Sequence, residues 1–299
     1  MPMAEYVRVV EVGPRDGLQN EARQVPAAVK IELIERLGRA GLRTIEATSF
    51  VSPKWVPQMA DAAEVLAGLQ RAPGVSYPVL VPNLQGLERA RQAGVTDEIA
   101  VFTAASDAFN RRNINASVDE SLERLAPVVA QALAAGLRVR CYVSTALGCP
   151  YQGAVPLDEV VRVTRAVADM GCYEISLGDT VGVGTARAAR EMYRACADAV
   201  GHERLAVHFH DTYGQALANV YACLEAGARV VDASVGGLGG CPYAQGASGN
   251  LATEDLVYML HGLGCSTGID LDALVDTAQW ISGVLERPPA SRLARARAR

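Results

Sequence analysis

Eight short runs rich in Val, Ile and Leu alternate with longer stretches of helical period, and this alternation limits the available folds more than any other feature. The runs are Val7–Val12, Thr44–Ala47, Tyr77–Val81, Glu98–Thr103, Arg138–Ser144, Glu174–Leu177, Leu205–His210 and Val230–Ser234. Between them lie amphipathic stretches at Ala27–Ala40, Trp55–Gln70, Leu84–Ala93, Val118–Ala135, Leu157–Met170, Thr185–Val200 and Gly214–Ala226. Gly41, Gly94, Gly136, Gly171 and Gly227 each stand where a helical stretch gives way to the next run, the place of a left-handed helix cap. Strand–helix units repeated over about 250 residues predict a TIM (β/α)8 barrel. An open doubly wound sheet is the competing arrangement, and the polar strand ends decide against it. Glu11 lies at the end of the first run with Arg15 and Asp16 after it, Glu46 and Ser49 lie on and after the second, and Arg140 and Ser144 lie on the fifth. Ser176 and Asp179 mark the sixth, and His208 and His210 end the seventh. A crevice at one switch point would gather such groups after two or three strands only. Residues 1–285 are expected to form a single barrel domain, with capping helices from about Gly262, and the Arg/Ala-rich tail 286–299 is expected to fray.

Charge and composition narrow the function classes. The 299 residues carry a formal charge of −5, and the only basic run is Arg292–Arg299, so neither nucleic acid nor a membrane surface is an expected partner. No apolar stretch approaches the ~20 residues of a membrane span. Neither end shows a secretory, organellar or peroxisomal signal, which makes the cytoplasm the expected compartment. Seven scattered cysteines form no CxxC pair, which predicts free thiols packed mostly as small core residues.

Three constellations could carry chemistry. In His208-Phe209-His210 the alternation of a strand turns both imidazoles to one side, where they could share an ion or simply pack. Asp211 could hold an imidazole in its tautomer or cap the following helix. The loop Gly13-Pro14-Arg15-Asp16-Gly17-Leu18-Gln19-Asn20 offers an oxygen ligand in Asp16 and a fixed positive charge in Arg15. Two imidazoles with oxygen ligands suit Mg2+, Mn2+ or Zn2+. The Gly-rich segment from Ser234 to Asn250 carries Cys241, either a reactive loop thiol or a buried filler. No Gly-Lys-Ser/Thr follows those glycines, and Gly182-Val183-Gly184 lacks the third glycine of a dinucleotide fingerprint.

Val10–Glu21, Thr48–Met59, Gly171–Thr180, His208–Asn219 and Gly237–Leu260 together resemble the 3-hydroxy-3-methylglutaryl-CoA lyase family, in unbroken order from about Tyr6 to Gly268. The resemblance implies a metal-dependent barrel, with a divalent ion (Mg2+ or Mn2+) held by Asp16, His208, His210 and Asn250. It implies that Arg15 stabilises the enolate of departing acetyl-CoA and that Cys241, on a mobile loop, transfers a proton. Glu46 and Asp179 match acidic residues of the pocket, and the first proton acceptor stays open between His208 and an acid such as Asp179. Arg15, Gln19, Ser49, Arg140 and Ser176 are expected to contact an acyl-CoA substrate. A homodimer and a place in leucine degradation are further implications. A longer, isohexenyl-type side chain on the substrate remains an alternative. A Claisen condensing synthase fits less well, because such enzymes usually carry a further C-terminal region and lack the Gly-Gly-Cys-Pro-Tyr loop. A barrel retained only as a binding scaffold would have lost its ligand set, and here the set is intact.

Overall fold

The computed structural model describes residues 5–95, 97–240 and 249–298. All the strand pairs within its sheet are parallel, in the order β2-β1-β9-β8-β7-β6-β5-β4-β3. The strands are β1 (Arg8–Glu11), β2 (Thr44–Ile45), β3 (Thr48–Ser49), β4 (Val79–Leu80), β5 (Glu98–Ala104), β6 (Arg138–Ser144), β7 (Glu174–Asp179), β8 (Leu205–Phe209) and β9 (Val230–Ala233). Nine strands occupy eight barrel positions, because the second expected strand is split. β2 pairs with β1 while β3, two residues further on, pairs with β4. The intervening residues bond to both sides: Glu46 N–H donates to Glu11 O at 2.8 Å and Ala47 N–H to Pro78 O at 2.9 Å. The stretch Thr44–Ser49 therefore closes the ring, and the barrel is complete.

Helices α1 (Ala27–Arg39), α2 (Ala62–Gly68), α3 (Leu84–Gln92), α4 (Asp107–Ile114), α5 (Val118–Ala134), α6 (Leu157–Asp169), α7 (Ala186–Val200), α8 (Ala216–Glu225) and α9 (Thr253–Gly262) follow the strands, with α10 (Leu271–Val284) and α11 (Arg292–Ala296) after them. None is long and apolar enough to cross a membrane. Local chemistry sets their starts. Ser117 accepts from the Glu120 N–H at 3.1 Å while the Glu120 carboxylate accepts from the Ser117 N–H at 2.6 Å, a reciprocal cap that opens α5. Two helical expectations need correcting. The stretch expected as helix from Trp55 begins its α-helix only at Ala62, after a 3-10 turn at Pro57–Met59, since proline cannot donate within a helix. The tail expected to fray instead forms α11. The Asp255 carboxylate accepts from Ser291 Oγ at 2.8 Å and from the Leu293 N–H at 2.8 Å, and Ser291 and Ala294 are fully buried.

Strand alternation divides the side chains into two populations. On β6, Val139, Cys141 and Val143 turn outward into one continuous apolar core with the helices, while Arg140 and Tyr142 turn into the barrel. Six described cysteines are free, and five of them are buried, as small core fillers would be. All five expected glycine caps hold positive φ, from 79° to 108°. Gly41 is the most constrained, since a Cβ there would lie 2.2 Å from Gly268 O, whereas one at Gly94 would meet nothing. Gly41→Ala is expected to cost about 2 kcal/mol or more of unfolding free energy, against about 1 kcal/mol for Gly94→Ala. Equal losses in denaturant titrations would refute the close contact.

Candidate active site

The strand ends converge on one mouth. A π-helical turn, Gly13–Gly17, follows β1 and presents Arg15 and Asp16. Buried Glu11 holds it in place, accepting from the Gly13 N–H at 2.8 Å, the Val235 N–H at 2.9 Å and Thr253 Oγ1 at 2.7 Å. One carboxylate thus ties the Arg-Asp turn to the segments on either side of the Gly-rich loop. Close packing finishes the job, because a Cβ on Gly17 would lie 2.7 Å from both Leu238 Cβ and Ser234 Oγ.

Across the mouth stand His208 and His210, at the end of β8. Donor atoms of Asp16, His208 and His210 all lie within 4.8 Å of one another. Asn250 joins them through a backbone bridge to His210, and its Nδ2 donates to Asp16 Oδ2 at 2.8 Å. Burial raises the Asp16 pKa, but Arg15 and the two imidazoles outweigh it, leaving the group at about 2. Burial, reinforced by His208, pulls His210 down to about 4, so its imidazole is neutral at pH 7. The buried Nδ1 of His210 has no hydrogen-bond partner among the described residues. An ionised carboxylate and a neutral imidazole with an unspent nitrogen suit a hard to borderline divalent cation. The residues present therefore fit a metal ion, and a turn of the Asn250 amide, whose nitrogen faces Asp16 here, would bring its oxygen to the same place.

Arg15 is buried beside this group. Its Nε donates to Glu46 Oε2 at 2.8 Å and its Nη1 to Asp16 Oδ1 at 2.7 Å. Tyr142 donates to the same Glu46 oxygen at 2.9 Å, and its ring lies under the Arg15 guanidinium, 5.3 Å from centroid to carbon. Burial pushes the Glu46 pKa up, with Arg15 only partly offsetting it, and its Oε1 has no partner among the described residues. The site thus holds a fixed cation and a carboxyl oxygen still free to bond.

Other expected residues fall elsewhere. Arg140 and Ser176 were expected to contact substrate, but they sit fully buried beneath the mouth. Arg140 is spent on Glu174 through Nε at 2.7 Å and on Asp232 through both terminal nitrogens, at 3.1 and 2.5 Å. Ser176 donates to Asp232 at 2.7 Å. Asp179 accepts from the backbone N–H groups of Gly182, Val183 and Gly184, at 2.8–3.2 Å, which makes it the clamp of the next loop. Burial raises its pKa against those donors. Ser49 is buried in the wall of a cleft of about 330 Å³ with Phe50, Met59 and Arg89, and Gln19 is half-buried beyond the Arg-Asp turn. Asp211 takes the capping role, accepting from the Ala216 N–H at 3.0 Å. Cys241 lies outside the described residues. Asp232, Glu174 and Tyr142 were missed, although each is a polar residue within a strand, the one available signal.

A closed parallel barrel that gathers a carboxylate and two imidazoles at its C-terminal mouth, close enough together to hold one ion, has the layout of a barrel enzyme. The comparisons with known proteins agree, and the chain belongs to the HMGL-like family, whose pattern matches residues 6–281. It is 58% identical to the mitochondrial hydroxymethylglutaryl-CoA lyase of Gallus gallus, over 99% of both chains. A Pseudomonas aeruginosa 3-hydroxy-3-isohexenylglutaryl-CoA/hydroxymethylglutaryl-CoA lyase is 57% identical, over 99% of this chain and 98% of its own. A crystal structure of hydroxymethylglutaryl-CoA lyase from Pseudomonas aeruginosa superposes with a TM-score of 0.96 at 57% identity, covering 99% of this chain and 98% of the other.

His210→Ala removes one of the three converging donors and is expected to weaken Mn2+ binding at least tenfold by isothermal titration. An unchanged dissociation constant would remove His210 from the ligand set.

Proposed function

We propose that the chain is a divalent-metal-dependent lyase that cleaves 3-hydroxy-3-methylglutaryl-CoA to acetyl-CoA and acetoacetate. The observation that carries this reading is the convergence of Asp16, His208 and His210 beside Arg15, in a chain 57–58% identical along its length to lyases of that name. Asp16, His208, His210 and the amide oxygen of Asn250 would hold Mg2+ or Mn2+. When bound, the ion supplies Lewis acidity that lowers the pKa of a coordinated hydroxyl.

The residues of the chain supply the remaining functions. Cleavage of the C2–C3 bond leaves negative charge on the thioester oxygen of the departing acetyl-CoA. Arg15 meets that charge with a guanidinium already fixed by Glu46 and Asp16, and Nη2 is the part of its fork those two carboxylates do not engage. The free oxygen of Glu46 lies where it can bond a substrate hydroxyl or hold a proton. The Gly249 N–H donates to Gly239 O at 3.3 Å, beside Asn250, so the described residues that flank Cys241 stand at the mouth. That attachment supports a role for the Cys241 thiol in protonating the carbanion. The clamp on loop 182–184 leaves Asp179 a positioning role in this scheme, and Glu46 the first proton acceptor.

On family resemblance the proposal extends to a cytoplasmic homodimer acting in leucine breakdown. A longer-chain substrate is the second reading, favoured by the double name of the Pseudomonas aeruginosa relative at 57% identity.

Acetyl-CoA release by chelator-stripped enzyme, with and without Mn2+, tests both readings when the methyl and isohexenyl substrates are compared. Metal-dependent cleavage of the methyl compound is the expected outcome. A preference for the isohexenyl compound would favour the second reading, and cleavage of neither would refute both. Cys241→Ser is expected to lower turnover by about two orders of magnitude or more while Mn2+ binding stays unchanged. Full activity in that variant would remove the thiol from the scheme.

A further inference from the structure

A line of alternating charges runs through the barrel interior beneath the mouth. Arg8 pairs with Glu174, Glu174 accepts from Arg140 Nε at 2.7 Å, and Arg140 forks onto Asp232. Asp232 Oδ2 in turn lies 3.2 Å from His208 Nδ1. Strand register builds the line, because Arg140 is the direct partner of Glu174 across β6 and β7, and His208 that of Asp232 across β8 and β9. Neighbours in parallel register project to the same side of the sheet, here the inside.

Buried ion pairs gain little stability over well-packed apolar residues, so such a line calls for another reason. Charge counting supplies one. Two arginines and two carboxylates cancel, and the line ends on a carboxylate oxygen that faces the His208 ring. Asp232, gripped by Arg140 and Ser176, is held ionised and can only accept hydrogen bonds. The His208 nitrogen facing it must then carry the hydrogen. That leaves the lone pair on Nε2, the nitrogen facing Asp16 Oδ2 across 3.9 Å. A metal ligand needs that lone pair.

We propose that Asp232, held by Arg140 and Ser176, is the positioning residue that fixes His208 in the Nδ1–H tautomer and so presets it as a metal ligand. The inference rests on the metal-dependent reading of the site, but its test does not depend on lyase activity. Asp232→Asn is the informative change. Arg140 claims the single amide oxygen, so the amide NH2 turns to Nδ1 and drives the hydrogen to Nε2. Nitrogen-15 spectra of histidine-labelled, metal-free protein read the tautomer directly, with only four histidines to resolve and His208→Gln to assign the signal. At alkaline pH, where the ring carries a single hydrogen, the parent is expected to show Nδ1–H at His208 and the folded variant Nε2–H, with Mn2+ affinity falling about 10- to 100-fold. Ser176→Ala, which keeps the ion pair, is expected to weaken Mn2+ binding about threefold, and it carries the test if Asp232→Asn does not fold. An Nε2–H signal in the parent would overturn the proposal. So would an unchanged Mn2+ affinity in folded Asp232→Asn, or in Ser176→Ala where that variant carries the test. Failure of the parent itself to bind Mn2+ would overturn the metal-dependent reading as well.

Discussion

Closure of the parallel ring at Thr44–Ser49 is the constraint on which the rest depends. A parallel sheet places the ends of all its strands on one face, and closure turns that face into a mouth. The kink between β2 and β3 lets one stretch of chain bond to β1 on one side and to β4 on the other. Glu46 sits at that kink, fully buried, and its carboxylate takes the Nε of Arg15 from the neighbouring turn. The residue at the seam of the barrel is therefore also the one that orients the cation of the site.

Two carboxylates organise the mouth without touching its open side. Glu11 gathers backbone and hydroxyl donors from three segments, so the Arg-Asp turn, the start of the Gly-rich loop and the helix after Asn250 cannot move independently. Asp232 does the same for the imidazole side. Both groups are buried with their hydrogen bonds satisfied, which allows a carboxylate in an interior at all. Precision at the mouth is thus set by polar contacts one layer below it, where solvent cannot compete for them.

The fold was legible because apolar periodicity and glycine caps are local signals, and every expected strand appears within a few residues of its place. The split of the second strand was not legible, since Glu46 and Ala47 carry no bulge or proline signature. The short helix α4 escaped notice because Asp107–Ile114 has too few apolar positions to show a period, although Ser106 caps it, accepting from the Phe109 N–H at 3.1 Å. At the site, His208, His210, Arg15 and Asp16 stood out as rare or charged residues at strand ends. Asp211 illustrates the ambiguity that remained, since adjacency to His210 could not show that its carboxylate turns to the helix behind it.

Arg140 shows where reading outward from strand ends fails. A charged residue on a barrel strand can face substrate or face another strand, and depth along the strand decides which. Ser144 ends β6, and Arg140 lies four residues below it, more than 10 Å down the strand at about 3.3 Å per residue. At that depth only an ion partner from another strand can satisfy a guanidinium, and Asp232 and Glu174 provide it. Their own positions in otherwise apolar runs, Val230-Val231-Asp232-Ala233 and Glu174-Ile175, would have given the answer had the strands been compared in register and not one at a time. In a closed barrel a buried charge implies its counter-charge at matching height. Pairing polar residues across strands by height therefore separates the layer that meets the ligand from the layer that holds that first layer in place.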